Sequence, residues 1–279
     1  MNEHSPKRLI TAREAEAYIP PLDQFVGNYQ LVAKLVGWLK RPGENDGNLL
    51  VEGDPGTGKT TTIIAYLREQ LRNPFFYRER FEVEHNKARG IAEQSRDRLH
   101  EWPDRTGKDI YFKQIDGATD TEAHLRCKIE AILYGTTANH KLVLLDELGE
   151  AFFRGLDEAL RPMLTETDIG VYATAQNFHS KRKRDTTQEE DQRLSALLRR
   201  FSHRERTEKP TEPDHLRFVS FLIGEWSLRV DHPSTLRLLV EKSNGIVGYS
   251  KRTLIKAIDA PDRRLTRTLV EDSDVDPLS

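Results

Sequence analysis

One stretch constrains this chain more than any other: Gly53-Asp54-Pro55-Gly56-Thr57-Gly58-Lys59-Thr60. It follows the apolar run Asn48–Glu52 (NLLVE) and opens a helix-forming segment from Thr60 to about Arg72. The stretch fits G-x-x-x-x-G-K-[ST], and an apolar strand before it with a helix after it is the context in which that pattern has meaning. Glycines let the backbone curl so that successive N–H groups point inward at an anion. The helix adds the positive end of its dipole. Gly53 through Thr61 are therefore the candidate phosphate cradle. Lys59 is expected to reach the β- and γ-phosphates of ATP, and the Thr60 hydroxyl to bind Mg²⁺. Asn73-Pro74 should end the helix.

The rest of the chain repeats the same alternation. Asp109–Ile115 (DIYFKQI), Lys141–Asp146 (KLVLLD) and Ile169–Thr174 (IGVYAT) read as strands. The continuous apolar run at Lys141–Asp146 is the mark of a central strand in a parallel sheet covered on both faces. Between the strands lie helical patterns at Thr119–Leu133 and around Leu156–Leu164, after an earlier one at Asn28–Lys40. Strand, helix, strand, helix predicts an α/β fold with a parallel sheet flanked by helices. Residues 75–108 are dense in charge and read as an insertion. From about Thr207 the pattern is only helical (Pro213–Trp226, Pro233–Lys242, Tyr249–Ala260), which predicts a small all-α domain. The expected division is an extension at 1–20, a nucleotide-binding domain at 21–206, a helical domain at 207–260 and a mobile acidic tail at 261–279.

Composition excludes several classes. The chain has 279 residues and a single cysteine, Cys127, so an intramolecular disulfide framework is ruled out. No run approaches ~18 apolar residues, so no membrane span is expected. The N-terminus lacks the apolar core of a signal peptide, which leaves a reducing cytoplasm as the expected setting. With 43 Lys+Arg against 45 Asp+Glu the net charge is -2, which excludes a uniformly basic coat protein but not a local basic patch.

Leu142-Val143-Leu144-Leu145 runs into Asp146-Glu147. Carboxylates at the C-terminal end of a central strand sit where ligands bind in an α/β sheet. Asp146 is expected to hold Mg²⁺, and Glu147 to orient and deprotonate the attacking water.

With these residues in place, the chain resembles the AAA+ ATPases, most closely their clamp-loader and Holliday-junction-motor branch. The likeness runs from about Leu22 to Ala260, with a helical lid as the second domain. In LDQFVGNYQLVAKLVGWLK, the resemblance implies that Phe25, Val26 and Gly27 line the adenine pocket. It implies a polar "sensor 1" at the end of VYATAQN, where direct alignment falls on Ala175. Thr174, Gln176 or Asn177 could serve with a shifted turn, and Asn177 is favoured for its amide. In Leu197-Leu198-Arg199-Arg200-Phe201, Arg200 matches an arginine finger for a neighbouring subunit's γ-phosphate, with Arg199 as the spare. In NGIVGYSKRTLIKAI, the "sensor 2" position falls on Lys251 or Arg252. The resemblance leads one to expect a C-terminal collar or winged-helix domain, for which the 279 residues give no room after the helical pattern.

The resemblance implies self-association into a ring or filament, and a DNA or nucleoprotein partner as a loader, motor or transposition regulator. The basic run Ser180-Lys181-Arg182-Lys183-Arg184 suits phosphate contact, although acids follow at Asp185, Glu189, Glu190 and Asp191. The alternative is a chaperone or regulatory switch acting on a protein. Residues 116–124 (DGATDTEAH), where some family members place pore contacts, hold neither a Lys or Arg nor a Phe, Tyr or Trp and do not decide between the two.

Overall fold

The computed structural model describes residues 9–24, 27–39, 47–70, 101–103, 109–134, 140–166, 169–176 and 187–273. The chain divides into two units. One, the sheet unit, comprises Gln30–Asp54 and Lys59–Thr207. The other, the helical unit, comprises Met1–Tyr29, Pro55–Gly58 and Glu208–Ser279.

The sheet unit is built on β1 (Leu49–Glu52), β2 (Glu101–Pro103), β3 (Asp109–Asp116), β4 (His140–Asp146), β5 (Ile169–Ala175) and β6 (His203–Arg206). Their order is β2-β3-β4-β5-β1-β6, parallel throughout except for β2. The four strands expected from the apolar runs are the four central ones. Leu50, Val143, Leu145, Val171 and Ala173 are fully buried. Helices that cover the sheet are α2 (Tyr29–Leu39, assigned to this unit from Gln30), α3 (Lys59–Gln70), α4 (Glu122–Tyr134), α5 (Leu148–Phe153) and α6 (Asp157–Thr165). One core gathers Ile129 and Ile132 of α4, Leu160 and Met163 of α6, and Leu50, Val143 and Val171 of the sheet. β1 lies between β5 and β6, so its C-terminal end is a point where the strand order reverses, the usual place for a ligand in such sheets.

Three elements of this unit depart from the sequence reading. The charged insertion contributes β2, which pairs antiparallel with β3, while its residues 75–100 and 104–108 lie outside the described part. Helix α7 (Gln188–Leu198) starts among the acidic residues that follow the basic run. Thr187 and Glu190 form a capping box there, satisfying two N–H groups of its first turn. Strand β6 arises just after Arg199 and Arg200, in a segment with no apolar run, and pairs with β1 along its length.

The helical unit contains α1 (Ala12–Ala17), a 3-10 turn (Leu22–Gln24), α8 (Glu212–Glu225), α9 (Pro233–Ser243), α10 (Val247–Asp259) and α11 (Arg267–Glu271). It is not purely α-helical: β7 (Arg229–Val230) and β8 (Arg264–Leu265) pair in parallel. Its core includes Phe218, Leu222, Trp226, Leu239, Leu254, Leu265 and Val270. Two segments read as peripheral belong to it. The N-terminal extension folds as α1 behind a Thr11/Glu14 capping box, buries Ala15, and sets Tyr18 edge-on to Trp226 at 5.9 Å. The tail expected to be mobile is built in as far as Ser273. Leu265 and Val270 are fully buried, and the Lys242 ammonium donates to the carbonyls of Val270 (2.9 Å), Glu271 (2.5 Å) and Ser273 (2.7 Å). Residues 274–279 lie outside the described part. Among the described residues, no helix is long and apolar enough to cross a membrane.

Candidate functional site

β1 delivers the chain to the glycine-rich loop with its end tied on both sides. The Gly53 N–H donates to Ala175 O at 3.2 Å, and the Thr207 N–H to Glu52 O at 2.9 Å. Lys59 opens α3 and is only 6% exposed. Its ammonium donates to Gly53 O and Asp54 O, both at 3.0 Å. Burial lowers its pKa; Glu147, Asp146 and Asp54 oppose that and favour the cation. The buried Tyr172 hydroxyl donates to Lys59 O at 2.9 Å, pinning the first turn of α3 to β5. Burial holds the Tyr172 pKa well above its ordinary value, so the phenol stays a donor.

The acidic pair sits at the end of β4. Parallel pairing sets Leu145 beside Ala173, so the next residues along, Asp146 and Thr174, come together. Asp146 Oδ1 accepts from Thr60 Oγ1 at 2.7 Å and from Thr174 Oγ1 at 2.5 Å. A hydroxyl and a carboxylate oxygen this close are hard oxygen donors of the kind Mg²⁺ takes, with waters and phosphates completing its shell. Glu147 turns the chain into α5 in a left-handed conformation, φ 54° and ψ 52°. That conformation is uncommon for a residue with a side chain and is held by bonds around it. The Glu147 N–H donates to Thr174 Oγ1 at 3.1 Å, and the Gly117 N–H to Asp146 O at 2.8 Å. A Cβ at position 117 would stand 2.4 Å from Glu147 O, so this close approach requires glycine.

Glu147 Oε1 accepts from Gln176 Nε2 at 2.9 Å. Burial raises the Glu147 pKa above the ordinary carboxylate value. Gln176 and Lys59 pull it down, while Asp146 and Glu150 push it up. A half-buried carboxylate with a raised pKa and a fixed amide partner is suited to accept a proton from water.

Of the residues considered at the end of β5, Thr174 and Gln176 both touch the acidic pair. Asn177, favoured from sequence, lies outside the described residues, as do Phe25, Val26 and the basic run through Arg184. The stretch Asp116–His124, which has no Lys or Arg of its own, receives an arginine from elsewhere. Arg154, at the end of α5, donates to Gly117 O (2.8 Å) and Ala118 O (2.9 Å). Its neighbour Phe153 is 41% exposed.

Arg199 and Arg200 follow α7. Arg199 is exposed and Arg200 half-buried; among the described residues neither guanidinium makes an ion pair or hydrogen bond. The Arg200 backbone is firmly mounted. Buried Asn48 donates from Nδ2 to Arg200 O and Leu164 O, both at 3.1 Å, and accepts from Val171 N at 3.2 Å. This anchor spans 152 residues of sequence and left no local signal.

In the helical unit, loop residues 55–58 meet α10 and the segment before α2. The Gly248 N–H donates to Gly56 O at 2.9 Å, and Asn28 Nδ2 donates to Thr57 O at 2.8 Å. Lys251, one of the two residues considered for contact with phosphate, has its ammonium on Glu16 O (2.7 Å) and Tyr18 O (2.9 Å). That geometry ties it to the N-terminal segment. Arg252, its neighbour on α10, is exposed.

No protein-family model matches the sequence. A replication factor C small subunit from Archaeoglobus fulgidus is 34% identical over 125 residues, covering 41% of this chain and 37% of that protein. The chain thus aligns with a little over a third of the length of this curated relative.

Proposed function

We propose that this chain is an ATP hydrolase of the AAA+ superfamily, acting as one subunit of an oligomer that assembles on or remodels nucleic acid or nucleoprotein. The observation that carries the hydrolase reading is the cluster at the ends of β4 and β5: Thr60 on Asp146, and Gln176 on Glu147, beside a glycine-rich loop and its lysine. Thr60 and Asp146 are the residues that would hold Mg²⁺, which when bound would neutralise phosphate charge. Lys59 exchanges its two loop carbonyls for phosphate oxygens. Glu147 takes a proton from the attacking water, and Gln176 keeps its carboxylate aimed. Arg200, mounted through Asn48, is offered to ATP on an adjacent subunit, where a guanidinium can spread over the oxygens of the transferring group.

The nucleic-acid part rests on the likeness to the clamp-loader branch and on similarity to a protein named as a replication factor. Arg154 on the 116–124 stretch is consistent with it. The second reading, a motor acting on protein, draws on Phe153, the exposed aromatic next to that arginine.

The test is ATPase rate with and without single-stranded and duplex DNA across a salt series. Lys59→Ala should lose nucleotide binding, and Glu147→Gln should bind ATP yet turn it over at least about a hundred-fold more slowly. Wild-type turnover by Glu147→Gln would remove that residue as the base. Absence of DNA binding and stimulation even at low salt would remove the nucleic-acid reading.

A further inference from the structure

A loop that binds phosphate through its N–H groups has a second requirement. As those N–H groups turn inward, the carbonyls between them turn outward, and each needs a donor or water. In the helical unit the two carbonyls at the tip, Gly56 O and Thr57 O, have protein donors. Gly248 supplies a backbone N–H to the first at 2.9 Å, and Asn28 a side-chain amide to the second at 2.8 Å.

Asn28 is built for one orientation. It is 3% exposed, and its Oδ1 accepts the Glu208 N–H at 3.0 Å. A backbone N–H can only donate, so the oxygen must face Glu208 and the amide hydrogens must face Thr57. Gly248 is equally constrained. A Cβ there would stand 2.9 Å from Gly56 Cα, a backbone atom that cannot swing away. Gly56 itself has φ +72°, a left-handed curl that glycine enters and leaves freely, so its backbone alone does not fix the tip.

We propose that Asn28 is a positioning residue for the phosphate loop, with Gly248 as its backbone counterpart. Together they fix the tip in its anion-binding curl before any nucleotide arrives. This rests on the proposed nucleotide site and adds to it the element that sets its affinity. A loop held in advance loses less conformational freedom on binding, so the contacts to phosphate appear more fully as affinity.

The experiment uses the full chain. Asn28→Asp is nearly isosteric and keeps the acceptor for Glu208, but turns lone pairs toward Thr57 O. Gly248→Ala disturbs the other hold by sterics alone. ATP and inorganic tripolyphosphate, a probe with no base or sugar, are titrated by calorimetry at a temperature where circular dichroism shows each variant folded. Affinity for both probes should fall about ten-fold or more in each variant. A purely structural role would lower the unfolding temperature and leave the affinity of the folded protein unchanged. Wild-type affinity in a folded Asn28→Asp or Gly248→Ala overturns the proposal while the ATPase reading stands. A wild-type chain that binds neither probe overturns both.

Discussion

Glu147 is pulled in two directions, and the balance decides when it is a base. Burial favours its neutral form, while the Gln176 amide and the Lys59 cation favour the carboxylate. Gln176 lies at bonding distance and donates directly to Oε1. Replacing it with leucine removes a contribution that lowers the Glu147 pKa, so the pKa should rise. The carboxylate is then lost at a higher pH as the solution is acidified. Gln176→Leu should shift the acidic limb of the ATPase rate profile toward alkaline pH and lower the rate at neutral pH. A limb that stays in place would mean the amide orients Glu147 without tuning it. The contrast with Lys59, Thr60, Asp146 and Glu147 is physical. Those four sit where loop, helix and strand end are contiguous, so their spacing is visible in the chain. Thr174 and Gln176 become partners of the acids through β4–β5 register, and a shift of one residue would exchange the faces of every side chain on the strand. Sequence therefore leaves Thr174, Gln176 and Asn177 open; geometry sets the first two against the acids, and Asn177 lies outside the described residues.

Among the elements, the buried strands were legible because continuous apolar runs have few alternatives inside a covered parallel sheet. Helix α7 was obscured by its composition, QEEDQRLSALL, although Thr187-x-x-Glu190 marks its start and Leu194, Leu197 and Leu198 form its buried stripe. Strand β6 (HRER) has no apolar pattern at all; its partner β1 determines it. In the helical unit, α8 carries a histidine into the interior. His215 is 1% exposed, with Nε2 3.0 Å from Ser250 Oγ on α10 and Nδ1 3.5 Å from Ser243 Oγ on α9. Both neighbours are neutral, and burial lowers its pKa from 6.5 to about 4. A depressed histidine pKa means that the folded unit refuses a proton which the unfolded chain accepts. Its contribution is fully present above pH 6.5 and is lost as the pH falls toward about 4. The loss over that window can reach ~3 kcal/mol. His215→Gln keeps a hydrogen-bonding amide beside Ser250 and has no such titration. Denaturant melts at pH 7.5 and pH 5 should show a larger drop for the wild type than for the variant. Equal drops would place the acid sensitivity elsewhere.

At the scale of the whole molecule, the net charge of -2 conceals unlike regions. Acidic groups stand at the ends of β3 and β4 (Asp116, Asp146 and Glu147), and an arginine-rich block runs from Arg193 to Arg206. Within that block the arginines differ. Arg193 is engaged with buried Asp157 and lies over the Phe152 ring, and Arg204 donates to Leu198 O. Arg199 and Arg200 have no such partner among the described residues. The shift from mixed to purely helical patterning near Thr207 was legible in the sequence, and the helical unit resumes at Glu208. The return of the N-terminal segment to the C-terminal unit was not, because α1 is a short polar helix in which, among its described side chains, Ala15 alone is fully buried. If Arg200 serves the ATP of an adjacent subunit, as proposed, a phosphate loop and its finger lie on different chains. Lys59→Ala then has a working finger and an empty loop, while Arg200→Ala has a working loop and no finger. Each should be inactive alone, with Arg200→Ala still binding ATP at wild-type affinity. Mixed, some interfaces pair the intact loop of one variant with the intact arginine of the other, and part of the ATPase activity should return in proportion to the mixing ratio. Two folded variants that stay silent at every ratio, under conditions where the wild type is oligomeric, would show that Arg200 acts within its own chain or not at all.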